Sequence, residues 1–574
     1  MKNWAKWVKR SLVVLLAVTL ILPTSIALAN WLGTPATIVS DLADGGLPAS
    51  TYGITMQPDK QTFYAAGRHW IFYINDDSDF VYKTALTNGV FGAETELVAI
   101  TGIYGFEMGV WYDKTNNKVH YARHSMNGLD PDTVNYRMGT PNADGTITWA
   151  AVEQTVAIVP ADLLTWRTFI CVDEDGYPWV GYIDTDGVNT FGLLYVESSS
   201  TKNGTWTEDV TQRFGAGGIA ADGTGTMTGS PVQLDIGLNQ PTVTVAGTFT
   251  ITLPIGCTGT AATGGWVITG SPVALTEGVN TITVELGGAG TIDITVGDDD
   301  FVWFGSITPI GTDSAKVEVQ WSCEDISGNV NGLYASVYDT GTGWSTRDTV
   351  VAEGSLSATR PDAFSFHDIG SAMYVVYTAS DGTIQFRVRS QIQTWLACAA
   401  AVQIKDAGAT ERIPTLSGYS IDPTGEDLIC IVHENAYIWY NIMDFSTDTW
   451  WGWIEAWHTP VVADDVISRH IAAYTYGSPM CFAWQWNDLD TNLDTVNYWW
   501  IDQDQLGYYT GGLPDVAAPL APMILLVFLG LAILVLLGLA FSDNINLKML
   551  VYMAIAIMII LAFVAMMNGQ INAF

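Results

Sequence analysis

Arg167-Thr-Phe-Ile-Cys-Val-Asp173, Pro178-Trp-Val-Gly-Tyr-Ile-Asp184, Phe191-Gly-Leu-Leu-Tyr-Val-Glu-Ser198 and Trp206-Thr-Glu-Asp-Val210 are four short runs dominated by apolar and β-prone residues. Asp175-Gly176 and Asp186-Gly187 separate the first three, and Asp-Gly steps supply the positive φ angles of tight hairpin turns. The reading is four antiparallel strands, a to d. The second of them is apolar on both faces, as a strand must be when its sheet is sandwiched between two others.

That second strand recurs along the chain, each time running into an acidic or amide turn: Trp70 to Asp76, Trp179 to Asp184, Met373 to Asp381, Leu428 to Asn435 and Met480 to Asn487. The period is roughly 50 residues, the mark of a repeat architecture. Repeats fall near 52–100, 101–160, 161–214, 301–355, 356–406, 407–462 and 463–505, seven in all. Two of them share the pentapeptide Asp-Thr-Val-Asn-Tyr, at Asp132 to Tyr136 and Asp494 to Tyr498. Several d strands open with or follow a tryptophan, namely Trp149, Trp206, Trp344, Trp395 and Trp450, where the indole serves first for packing.

The seventh repeat stops at its strand c, Trp499 to Gln503, while a β-prone segment, Ala36 to Leu42, has no repeat of its own. Pairing the two closes a ring, which removes the exposed edges of an open array. The expected fold is therefore an all-β, seven-bladed β-propeller closed by its N-terminal strand. An open solenoid, the alternative, would leave one repeat incomplete.

Between the third and fourth repeats, residues 215–300 change character. Gly and Thr dominate, Lys and Arg vanish, and Thr242 to Leu253 and Asn280 to Leu286 alternate, predicting a small inserted β-sandwich. The ring itself spans 30–214 and 301–510. Asp298-Asp299-Asp300 offers carboxylates for calcium, but three consecutive acids lack the alternate spacing of a calcium loop, so the expectation is no cofactor and no metal.

The ends carry membrane signals. Residues 1–29 hold Lys2, Lys6, Lys9 and Arg10, then the apolar run Leu12 to Leu22, then Ala27-Leu28-Ala29, the layout of a cleavable secretory signal. Within 511–574, two uncharged stretches, Val516 to Phe541 and Met549 to Met567, are each long enough to cross a bilayer and are joined by a short polar link, predicting a transmembrane helical hairpin with the lipid bilayer as partner. The body is then exported and anchored on a cell surface or a viral envelope. The formal net charge of −36 becomes −40 when those four signal-segment cations are removed, which disfavours nucleic acid as a partner. The six cysteines have no metal-ligand spacing and lie mostly in apolar strands, where buried free thiols are expected.

Asp339-Thr-Gly-Thr-Gly-Trp344 resembles the Asp-box (BNR) turn of sialidase-like propellers, Ser-x-Asp-x-Gly-x-Thr-Trp, with Val337 and Gly343 in place of its Ser and Thr. Looser versions are Asp144-Gly145 with Thr148-Trp149, and Asn203-Gly-Thr-Trp206. Arg360-Pro361 and Arg412-Ile413-Pro414 are similar to that family's Arg-Ile-Pro signature. The resemblance implies a site at the axial face that grips an acidic sugar. Independently, Arg167, Arg360, Arg412 and Arg469 all fall at or just before the start of a strand a, in a chain poor in arginine. A guanidinium fork matches a carboxylate bidentately, although such arginines can equally tie blades together through Asp362, Glu411 and Asp465.

A sialidase-like mechanism further implies a Tyr and Glu pair and a separate acid, for which Tyr104, Glu107 and Asp362 are the candidates. The departures from the family, seven blades and a late Arg-Ile-Pro, weigh against hydrolysis. The expected function is binding of a carbohydrate or a surface protein at the axial face; the alternatives are a sialidase-like glycoside hydrolase or a virion receptor-binding protein.

Overall fold

A computed structural model of the 574-residue chain describes residues 36–43 and, apart from a number of connecting segments, 60–501. The signal segment and the expected transmembrane hairpin lie outside the described residues. Among those described, no helix is long and apolar enough to cross a membrane. The chain divides into two units, Ala36–Tyr498 and one that gathers Met1–Pro35 with Trp499–Phe574; the first contains nearly everything described.

That unit is an all-β propeller. Six four- or five-stranded antiparallel sheets are each built from consecutive strands, and their first strands are Thr62–Ala65, Met108–Asp113, Leu164–Val172, Asp300–Pro309, Asp362–Ser365 and Arg412–Asp422, called here the inner strands of blades 1 to 6. Seven blades were expected, the seventh completed by the N-terminal strand, and six blades of consecutive strands are found. The last repeat contributes only Val466–Ala472, Met480–Asp488 and Leu493–Ile501, and its sheet is completed from the other end of the chain by Ala36–Ala43. We refer to this as the terminal sheet.

The pairing inside the terminal sheet starts as that of blade 2 does, before a second register shift between Val39 and Leu42 that blade 2 lacks. Ala36, Thr37 and Val39 face Tyr498, Asn497 and Val496, with a register shift between Thr37 and Val39. In blade 2, Gln154, Thr155 and Ala157 face Tyr136, Asn135 and Val134, with the shift between Thr155 and Ala157. The shared pentapeptide thus occupies the third strand of both sheets, and the outer strand carries its extra residue, Ile38 or Val156, at the same step. A bulge of this kind increases local twist and pins register.

Three elements differ from the sequence expectation. The fourth strand of blade 3 is Gln212–Gly215 rather than 206–210, and Gly218–Ala220 pairs antiparallel with it as a fifth. The third strand of the terminal sheet is Leu493–Ile501 rather than 499–503. Trp395 opens a 3-10 turn, Trp395–Ala397, and the outer strand of blade 5 follows at Val402–Lys405. Its indole N–H donates to Glu318 Oε1 at 3.1 Å, and its backbone N–H bonds to Asp348, which anchors it against blade 4 instead of in a ladder.

Packing between blades is aromatic. Trp206 of blade 3 meets Tyr136 of blade 2 edge-on at 5.2 Å; Trp344 of blade 4 meets Phe214 of blade 3 at 4.9 Å; Trp450 of blade 6 meets Phe386 of blade 5 at 5.1 Å. Edge-to-face pairs add ~0.5–1.5 kcal/mol each beyond area burial. The turns that resemble Asp boxes are built to deliver these indoles. Asp339 Oδ1 accepts the Gly341 N–H at 2.8 Å and Gly343 takes φ +75°, a left-handed conformation that glycine adopts without a Cβ clash.

Cys171, Cys430 and Cys481 are buried free thiols, as expected, and Cys398 is a partly exposed one. The insert forms sheets of its own, in which Gly247–Leu253 pairs with Gly278–Glu285 and no strand from Thr226–Met227 to Asp293–Gly297 pairs with a blade.

Candidate functional site

The inner strands of blades 2 to 5, together with Lys60 just before that of blade 1, converge on one cavity. It spans about 380 Å³ when the open solvent at its mouth is counted, with room inside for about one water molecule, and Lys60, Trp111, Phe169, Ser306, Ile307 and Asp362 are among its lining. Close approach is possible because residue 109 is glycine. A Cβ there would sit 3.0 Å from the Phe169 Cα, so the backbones of blades 2 and 3 touch where any larger residue would push them apart.

Asp362 is the polar centre of this cavity and is 1% exposed. Its Oδ2 accepts the Lys60 ammonium at 2.9 Å and the Leu416 backbone N–H at 2.8 Å. Lys60 also donates to the Leu416 carbonyl at 3.2 Å. Blades 1, 5 and 6 are thereby tied through one carboxylate oxygen and one ammonium. A buried ion pair of this kind survives only where further hydrogen bonds satisfy it, and breaking it by removing one partner costs ~3–5 kcal/mol. Among the described residues, Asp362 Oδ1 has no hydrogen-bond partner, and neither has Ser306 Oγ, 2% exposed on the neighbouring inner strand. Beside Asp362, burial pushes the Cys430 thiol well up and the carboxylate charge adds to the shift, which removes it as a nucleophile.

The sequence-predicted residues separate. Asp362 begins the inner strand of blade 5 and lines the cavity. Its cation is Lys60, not one of the arginines. Arg167 lies inside its strand rather than at its start, because Leu164–Val172 begins three residues earlier than the sequence suggests. It is the extra residue of a bulge between Trp166 and Thr168, has φ +53°, is 3% exposed and is engaged by neighbours there. A non-glycine residue in that region costs ~1–3 kcal/mol and persists only where its surroundings impose it. Arg412 is the first residue of its strand, and Arg469 stands within Val466–Ala472. Tyr104, Glu107 and Arg360 lie outside the described residues.

Lys60 and Ser306 escaped the sequence reading, which weighted arginines and carboxylates. A signal was present: hydroxyls interrupt otherwise apolar inner strands at Thr62, Thr168, Ser306, Thr308, Thr415 and Ser417, and all six are buried. Among the described residues no group of three or more His, Cys, Asp or Glu side chains is arranged to hold a metal ion.

No protein-family model matches the chain, and no curated protein matches it. Solved structures similar to it include the polysaccharide lyase Uly1, at 9% identity and TM-score 0.43 over 79% of this chain and 91% of that one. An ulvan lyase aligns at 8% identity and TM-score 0.42 over 81% and 96%. The α-L-arabinofuranosidase Arb93A of Fusarium graminearum aligns at 8% and 0.36 over 70% and 93%. Likenesses this loose assign no activity, and the reading below rests on the cavity.

Proposed function

We propose that this chain is an exported, membrane-anchored propeller that binds a glycan at its axial face, with the terminal sheet counting as a seventh blade. The observation that carries the reading is the cavity at the convergence of the inner strands, where a buried carboxylate keeps one oxygen without a partner among the described residues. Two such atoms, Asp362 Oδ1 and Ser306 Oγ, belong to residues that line this cavity together with aromatic and aliphatic walls, and a mostly apolar cleft with a few polar groups is the usual form of a ligand site. Arg360 and Arg412, close to or at the starts of inner strands, supply the grip on an acidic sugar. Hydrolysis is the lesser reading. It requires a second carboxylate about 5–9.5 Å from the first or a Tyr–Glu pair, and Asp362 is the one carboxylate among the described lining residues.

The test is a glycan array with the full-length chain in detergent, followed by titration of the best acidic sugar against Arg360→Ala and Arg412→Ala. Each substitution is expected to weaken binding by ~1.5–3 kcal/mol, with lysine restoring part of it. Binding unchanged by both, with lowered thermal stability, would make these arginines inter-blade ties. Release of free sugar on incubation would move the reading to the hydrolase.

A further inference from the structure

We infer that the axial cavity is a subsite for one uncharged hydroxyl group of the bound glycan, accepted by Asp362 Oδ1 and met by Ser306 Oγ. The inference rests on the axial-face reading above and adds what that face recognises in this cavity.

Size, charge and unfilled hydrogen-bonding capacity agree on this group. The cavity has room for about one water-sized group, so a hydroxyl fits and a carboxylate or phosphate does not. Asp362 Oδ2 is committed to Lys60 and to the Leu416 N–H, leaving Oδ1 as an acceptor that calls for a donor. Ser306 Oγ, on the adjacent inner strand and also without a partner among the described residues, can donate or accept. A ligand anion at this depth would face the carboxylate oxygen at short range, where low dielectric strengthens the repulsion. A cation is disfavoured as well, since the one carboxylate among the described lining residues is already paired with Lys60. A ligand hydroxyl reproduces the hydrogen bonds of the water it displaces, which is the condition for displacement to gain affinity. Phe169, Ile307 and Trp111 provide the apolar wall for the adjoining C–H groups.

The experiment uses the full-length chain in detergent and titrates methyl glucoside, methyl galactoside and methyl mannoside, their monodeoxy analogues and N-acetylneuraminic acid, reading tryptophan fluorescence. At least one neutral glycoside is expected to bind. Ser306→Ala should weaken it about five- to tenfold and Asp362→Asn at least about tenfold, the scale of one hydrogen bond to a neutral or a charged partner. For the monodeoxy analogue lacking the recognised hydroxyl, Ser306→Ala should make no difference, the signature of a direct pair in a double-mutant cycle. Asp362→Asn also loosens the Lys60 tie at a cost to stability; Ser306→Ala removes an oxygen without a partner among the described residues and keeps the test open.

Neutral glycosides binding equally to wild type and Ser306→Ala would overturn the subsite. So would an acidic sugar that binds, weakens on Arg360→Ala and ignores both cavity substitutions, a result that leaves the axial-face reading standing. Absence of any sugar binding, neutral or acidic, overturns both.

Discussion

Asp132 to Tyr136 and Asp494 to Tyr498 are the same five residues in two settings, and the settings differ in where their partners come from. Each stretch lies in the third strand of its sheet, with the valine and the tyrosine fully buried. In blade 2 the outer strand, Gln154–Val159, follows within the same repeat, and the Tyr136 hydroxyl bonds His120 Nδ1 of the same sheet at 2.7 Å. In the terminal sheet the outer strand comes from Ala36–Ala43, and the Tyr498 hydroxyl bonds His69 Nδ1 of blade 1 at 3.0 Å, across 429 residues of sequence. Local sequence therefore sets strand position and bulge, while closure depends on contacts that only the assembled ring can make. Thr62 Oγ1 donating to the Cys481 carbonyl at 3.4 Å and the Phe91–Tyr498 ring contact at 5.1 Å lie at the same junction.

Acid should act on both settings at once and most strongly. Burial lowers His69, His120 and His124 to about 4. The unfolded chain takes up these protons near pH 6.5 and the folded chain only near 4, so their stability contribution is full above about pH 6.5 and is lost as pH falls through 4. The loss is at most roughly 3 kcal/mol for each histidine. Thermal unfolding followed from pH 7 to 4 should show a steep fall in Tm, flattened by His69→Gln. A flat profile in the parent protein would contradict neutral burial.

Removing residues 30–43 comes next. At ~1 kcal/mol net per ladder hydrogen bond, the loss is about 4–5 kcal/mol, and the edge of Leu493–Ile501 is laid bare. An unchanged unfolding curve would mean that the ring does not depend on its N-terminal strand.

Tyr498→Phe and Tyr136→Phe separate the two settings more finely. Each leaves a buried histidine nitrogen short of a partner and should cost ~1–3 kcal/mol. Hydrogen exchange should distinguish them: Tyr498→Phe is expected to speed exchange in Ala36–Ala43, and Tyr136→Phe only in blade 2. Equal spreading from both would erase the distinction between local and closing contacts.

The smallest effect is expected from giving the closing strand the blade 2 residues, Ala36→Gln, Ile38→Val and Val39→Ala together. If the shared bulge means shared geometry, stability should move by less than about 1 kcal/mol. A loss as large as deletion would show that the equivalence is only in the backbone.

The repeat boundaries were legible because hairpin strands pair with sequence neighbours, and turn residues such as Asp175-Gly176 mark where each reversal falls; the closing segment was legible only as a strand without a repeat in a chain whose last repeat lacks one. Trp395 was misread because its indole is held by Glu318 of another blade, a contact that no periodicity reports. The site was legible in one residue, Asp362. Its partner Lys60 is 302 positions away, and the pair exists only once the ring brings blade 1 to blade 5. Arg167 stood out by residue type, but its burial follows from a bulge one residue wide, and a shift of one residue in a strand sends a side chain to the opposite face.

The antiparallel pairing of Ala36–Ala43 with Leu493–Ile501 sets Ala36 opposite Tyr498, so the chain enters and leaves the ring at the same end of one sheet. Tension applied through the segments that flank the ring at 36 and 501 would load the ladder one rung at a time, like a zipper, instead of shearing all its rungs together. Sequential rupture needs little force, because each hydrogen bond bears the pull alone. A tether to a surface on one side and a load on the other would thus find its mechanical fuse at the closing strand, before any blade gives way.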